Sequence, residues 1–213
     1  MKSIKIYTIL TVLFTALIVG CSPYKNVANM SSMNELEYGY EVNYAELSND
    51  IKLAYIDEGE GPETIIFIHG LGSYLPAWKK NIDVLSKSYR CIAIDLPGYG
   101  KSSKNPHSGL MSFYAKTVAE FIDKLDLGKV TLAGHSMGGQ LSIVATLQYP
   151  QKVKNLILVD PAGFERFHPG QRLWFKEVMT PNLVRLTSVE AIETNLASNF
   201  YNMPQDAMFM IED

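Results

Sequence analysis

Four short runs rich in apolar, mostly β-branched residues constrain this chain more than any other feature: residues 64–68, 90–94, 130–133 and 156–159. Each is continuous rather than alternating. A strand that is apolar on both faces must be covered on both faces. Helical patterns lie between the runs. Tyr114, Val118, Phe121, Ile122 and Leu125 recur at the spacing of one helix face, and Gly128 offers a residue tolerant of positive φ beyond its end. Residues 137–148 predict a second helix, stopped ahead of Pro150, and residues 78–85 a shorter one. Strand and helix in alternation predict an α/β fold built on a mostly parallel sheet with helices on both faces. Ahead of it, residues 40–47 and 51–57 flank Ser48-Asn49-Asp50 and predict an antiparallel hairpin.

The 213 residues suffice for one domain of ordinary size. With 47% hydrophobic residues the chain can form a core, which excludes a mostly disordered protein. The net charge of −3 supplies no basic surplus for phosphates, so no nucleic-acid partner is expected. Two cysteines cannot build a disulfide framework or a four-cysteine zinc site, and no metal ligand set is expected. Cys91, flanked by Ile92, Ala93 and Ile94, reads as a packed strand residue.

Ligands of parallel sheets sit at the carboxyl ends of the strands, and three motifs fall there. Gly134-His135-Ser136-Met137-Gly138-Gly139 follows an expected strand and opens an expected helix. That is the setting of G-x-S-x-G as a nucleophile corner. The glycines at 134 and 138 relieve the crowding of a sharp turn, Ser136 projects from it, and the helix N-terminus behind offers free N–H groups. His69-Gly70-Leu71-Gly72 ends the first apolar run. Acyl transfer needs two N–H donors aimed at a developing oxyanion; Met137 and Leu71 are the candidates. His69 is expected to brace the loop rather than act as base. Asp95-Leu96-Pro97-Gly98-Tyr99-Gly100-Lys101-Ser102 ends like a Walker A loop, but aspartate stands where that motif needs its first glycine.

In order and spacing these three motifs resemble the α/β-hydrolase superfamily, over about residues 40–165. The likeness is greatest to its small hydrolases with a helical cap, among them carboxylesterases, meta-cleavage-product hydrolases and non-haem haloperoxidases. The resemblance implies a serine hydrolase working through an acyl-enzyme on Ser136, with no metal or organic cofactor; the apolar, aromatic residues of 174–210 suit a lid over a small apolar ester or acyl substrate, and core packing explains them equally well. The resemblance places the core at 39–165 and the start of a helical cap at 166–213. C–C bond hydrolysis on the same fold is the alternative chemistry. The family's chain order is nucleophile, then acid, then histidine.

That order does not close within these residues. The last strands of the family's sheet are missing, and with them the expected base. His168 lies in Phe167-His168-Pro169-Gly170, early in the cap segment, and is not expected to serve. Asp160, ending the fourth run, sits where some members carry their acid; a structural role is the other reading. The chain is thus a fragment of a longer hydrolase, a shortened homologue that binds without turnover, or an enzyme with an improvised base.

The N-terminus carries its own pattern. Lys2 and Lys5 precede an apolar stretch, residues 6–19, that is short of the roughly 20 residues a membrane-spanning helix needs. It ends in Ile18-Val19-Gly20-Cys21, which resembles the lipobox of bacterial lipoproteins. The resemblance implies a signal peptide over 1–20, lipidation at Cys21, a tether over 21–38 and a cell-envelope protein held at the membrane by acyl chains.

Overall fold

A computed structural model describes residues 35–178, together with 180, 186–188, 190, 191 and 194. The expected signal peptide, Cys21, most of the tether, and the cap residues from 195 onward lie outside the described residues.

Six strands form one sheet: β1 (Asn43–Glu46), β2 (Lys52–Glu58), β3 (Thr64–Ile68), β4 (Arg90–Ile94), β5 (Val130–His135) and β6 (Val153–Val159), in the order β1-β2-β4-β3-β5-β6. The β1–β2 hairpin is antiparallel and joins β4 antiparallel; β4, β3, β5 and β6 run parallel. A short 3-10 turn (Leu75–Trp78) leads into α1 (Lys79–Leu85), followed by α2 (Met111–Lys124) and α3 (Met137–Gln148).

Side chains alternate across a strand, and here both faces are apolar. Ile66, Ile68, Ile92, Ile94 and Leu132 pack with Tyr114, Val118, Phe121 and Leu141 of α2 and α3 on one face. Ile65, Phe67, Cys91 and Ala93 pack with Leu75, Trp78 and Ile82 on the other. Double coverage is why the runs of β3, β4 and β5 are unbroken. β6 starts at Val153, before its apolar run, because pairing rather than burial extends it: Asn155 lies opposite Thr131, with Nδ2 donating to Oγ1 at 3.2 Å. Among the described residues β6 has a strand on one side only, and its Ile157 and Val159 are 45% and 39% exposed.

Tyr38, the last residue of the segment the sequence predicts as a tether, is only 4% exposed and packs with Ile56, Phe67 and Trp78. Leu36, Tyr40 and Val42 rest on the same cluster. Apolar residues alternate with others at 36, 38, 40 and 42, and all four reach this cluster although the chain bends at Gly39, φ 71°.

Among the described residues, 35–166 form one compact unit, and those from Phe167 belong to another. In the latter, α4 (Pro169–Val178) has His168 as its cap: the His168 N–H donates to Gln171 Oε1 at 2.8 Å, and Nδ1 accepts the Gly170 N–H at 3.3 Å. Leu173 and Trp174 on it are exposed. In the segment expected as helical cap, residues 190, 191 and 194 are helical, with Ser188 Oγ accepting the Ala191 N–H at 3.1 Å.

Candidate active site

The chain turns from β5 into α3 through a single residue. Ser136 takes φ 51° and ψ −116°, a backbone region that costs a non-glycine residue on the order of 1–3 kcal/mol. The surroundings hold it there. Its N–H donates to the Val159 carbonyl at 3.1 Å, and its own carbonyl accepts from Gln140 N–H at 3.1 Å and Ala162 N–H at 2.9 Å. The corner closes only because three glycines line it. A β-carbon at Gly134 would run into the Gly138 carbonyl, one at Gly138 into the carbonyls of Ile68 and His69, and one at Gly139 into Pro161. Ser136 and Met137 are half-buried.

The loop after β3 runs beside this corner. A β-carbon on Gly70 would lie 3.2 Å from both Ser136 Cβ and His135 Nδ1, so glycine permits the approach. Leu71 comes next, its side chain exposed, followed by Gly72 at φ 69°. Met137 is the first residue of α3, where helix N–H groups lack internal partners. Among the described residues neither the Leu71 nor the Met137 N–H has an acceptor. The Ser136 hydroxyl thus has Met137 next to it in the chain and Gly70, which leads into Leu71, close in space.

His69 is fully buried. Its Nδ1 donates to the Gly70 carbonyl at 2.8 Å and its Nε2 accepts the Leu96 N–H at 3.1 Å, partners that assign the tautomer. Burial pushes its pKa below the usual imidazole range. With both ring nitrogens committed to backbone, it braces two loops. Tyr99 stands edge-on to that ring, centroids 5.0 Å apart, and its hydroxyl lies 3.8 Å from Met137 Sδ.

Asp95 is the residue whose part the sequence reading missed. It is fully buried, and its carboxylate accepts from Leu75 N–H at 2.8 Å, Lys101 N–H at 2.7 Å and the Tyr38 hydroxyl at 2.6 Å. Ser102 Oγ donates to the Asp95 carbonyl at 2.6 Å and accepts Ala54 N–H at 2.8 Å. Gly100, at φ 45°, leaves the space that carboxylate fills; a β-carbon there would overlap it. The aspartate-to-glycine spacing was the available signal. Lys104 Nζ closes the same turn, donating to the carbonyls of Tyr99, Gly100 and Ser102 at 2.9, 2.6 and 2.5 Å.

Asp160 follows β6 at φ 41°, exposed and without a side-chain hydrogen bond among the described residues. Likewise among the described residues, no hydrogen bond joins Ser136 Oγ to a histidine or a carboxylate, and no three His, Cys, Asp or Glu side chains gather as a metal site.

A strained serine at the corner between a parallel strand and a helix is the local architecture of an α/β hydrolase sheet. The chain belongs to the α/β hydrolase fold family, whose sequence model matches residues 63–207. It is 39% identical over 114 residues to the dihydrolipoyllysine-residue acetyltransferase component of the acetoin cleaving system of Cupriavidus necator, covering 54% of this chain and 30% of that protein. It is 37% identical over 135 residues to the 2-hydroxy-6-oxononadienedioate/2-hydroxy-6-oxononatrienedioate hydrolase of Escherichia coli, covering 60% of this chain and 47% of that one. The chain thus spans half or less of the length of these curated relatives. A probable hydrolytic enzyme from Pseudomonas aeruginosa superposes with a TM-score of 0.67 at 26% identity, over 83% of this chain and 60% of its own. Fold and relatives together make this a hydrolase-family chain.

Proposed function

We propose that Ser136 is the nucleophile of a serine hydrolase that cleaves a small apolar ester or related acyl substrate. The observation that carries this reading is the left-handed φ of Ser136 at the strand-to-helix corner, a strained geometry that a purely structural serine has no reason to keep. In the proposed reaction Ser136 Oγ attacks the substrate carbonyl and gives its proton to a base. The carbonyl oxygen takes the negative charge and rests on the N–H groups of Leu71 and Met137. Collapse expels the alcohol, which receives that proton, and water then releases the acid from Ser136 by the same route.

The proposed base is a histidine in the part of the relatives' length that this chain does not span; Asp160 stands as a candidate for the acid that orients it. The chemistry needs no metal or organic cofactor. In the protein expressed from its complete gene, Ser136→Ala is expected to abolish p-nitrophenyl ester hydrolysis. Full hydrolysis by that variant overturns the reading.

C–C bond hydrolysis is the second reading, favoured by the 37% identity to the Escherichia coli dienedioate hydrolase. Assays of a dienoate ring-cleavage product and an aryl ester side by side separate the two. For location, the run ending at Cys21 supports a lipid-anchored envelope protein.

A further inference from the structure

Consecutive residues after β4 hold both ends of the loop that carries Leu71. At its start, Leu96 N–H donates to His69 Nε2 at 3.1 Å. At its end, Leu75 N–H donates to Asp95 Oδ1 at 2.8 Å. The other oxygen of Asp95 accepts from the Tyr38 hydroxyl and the Lys101 N–H. Tyr38 comes from the segment ahead of β1, far from the corner in sequence. Its ring centroid lies 5.4 Å from that of Tyr74, the neighbour of Leu75, and the Lys101 ammonium lies 4.6 Å from the ring on its face. Asp95 and Tyr38 are both buried. A buried carboxylate met by three donors is held in one orientation.

Resting on the reading of Leu71 N–H as an oxyanion donor, we propose that Tyr38 and Asp95 are positioning residues for that donor. Oxyanion donors act by being fixed before charge develops, within a few tenths of an ångström. A loop with glycines at 70 and 72 has little stiffness of its own. The Asp95–Leu75 bond supplies the missing stiffness, and the Tyr38 hydroxyl keeps Oδ1 turned toward Leu75. The segment that leads to the N-terminus is in this way a working part of the site. Loss of the pair relaxes stabilisation of the transition state while leaving ground-state binding alone.

The test uses the protein from its complete gene, with active sites counted by a fluorophosphonate end point. Three readouts are taken for each variant: kcat per counted site, KM for a p-nitrophenyl ester, and inhibition by a trifluoromethyl ketone that forms a tetrahedral adduct. Asp95→Asn is expected to lower kcat about tenfold and weaken the ketone by the same factor, with KM within about twofold. Tyr38→Phe keeps the carboxylate and the packed ring, and is expected to give the same pattern at about threefold. If Asp95→Asn does not fold, Tyr38→Phe decides alone. Unchanged kcat per counted site and unchanged ketone inhibition overturn the proposal, whatever happens to thermal stability. A parent protein that neither labels at Ser136 nor turns over ester overturns the nucleophile reading and this inference with it. An active parent with unaltered variants overturns this inference alone.

Discussion

Ser136 donates its backbone N–H to the carbonyl of Val159 across 3.1 Å, so the candidate nucleophile hangs from the end of the neighbouring strand. Together with the Ala162 N–H on the Ser136 carbonyl, this makes the corner a product of two adjacent strand ends rather than of the β5–α3 turn alone. The strain in one residue is offset by bonds from residues more than twenty positions away.

Gly138→Ala is the sharpest packing test of that corner. Its β-carbon would meet the carbonyls of Ile68 and His69, which are backbone and cannot swing aside. Destabilisation of about 1–3 kcal/mol is expected in urea unfolding, with loss of fluorophosphonate labelling in the fraction that folds. Wild-type stability and labelling would show that the corner is looser than described.

Acid should weaken the fold through His69. Its folded-state pKa lies below the unfolded imidazole value because the ring is buried. Above about pH 6.5 the ring is neutral in both states and nothing is lost. As pH falls through that value only the unfolded state gains the proton, so stability declines until the folded-state pKa is reached, by about 1.4 kcal/mol per unit of depression. Urea midpoints between about pH 7 and pH 5.5 should therefore fall for the parent and stay flatter for His69→Gln. Equal slopes would remove His69 as the cause.

Cys91 should be chemically silent in the native protein. It is fully buried on β4, and burial pushes its thiol up to about 11. Ellman's reagent is expected to react with it only after denaturation. Stoichiometric reaction of the folded protein within minutes would contradict that placement.

The N-terminal reading is tested by metabolic labelling with an alkyne palmitate in a bacterial host. Incorporation is expected in the parent and lost in Cys21→Ala, which should also leave the membrane fraction. Equal labelling of both would remove the lipoprotein assignment.

Much of this was legible in the chain. β3, β4 and α3 fall on the residues the apolar runs and the Pro150 stop predict, because double burial and helix termination are local signals. The glycines at 134 and 138 are legible as relief of crowding, because a sharp strand-to-helix turn is itself a local demand. The pairing of Tyr38 with Asp95 is not, since their bond joins residues 57 apart; the spacing of Asp95 to Gly100 marks the turn but not the partner. Buried polar partners are chosen by the fold, after the sheet has brought β4 beside β3 and the leading segment across them. The same holds for the Ala162 N–H on Ser136, which no spacing rule announces.

The central claim is that Ser136 is the reactive hydroxyl, and peptide mapping after fluorophosphonate treatment of the protein from its complete gene tests it most directly. A single adduct on the peptide holding Gly134 to Gly139, fragmenting to place the added mass on Ser136, is the predicted result. An adduct on another residue, or none on a folded protein, would contradict it.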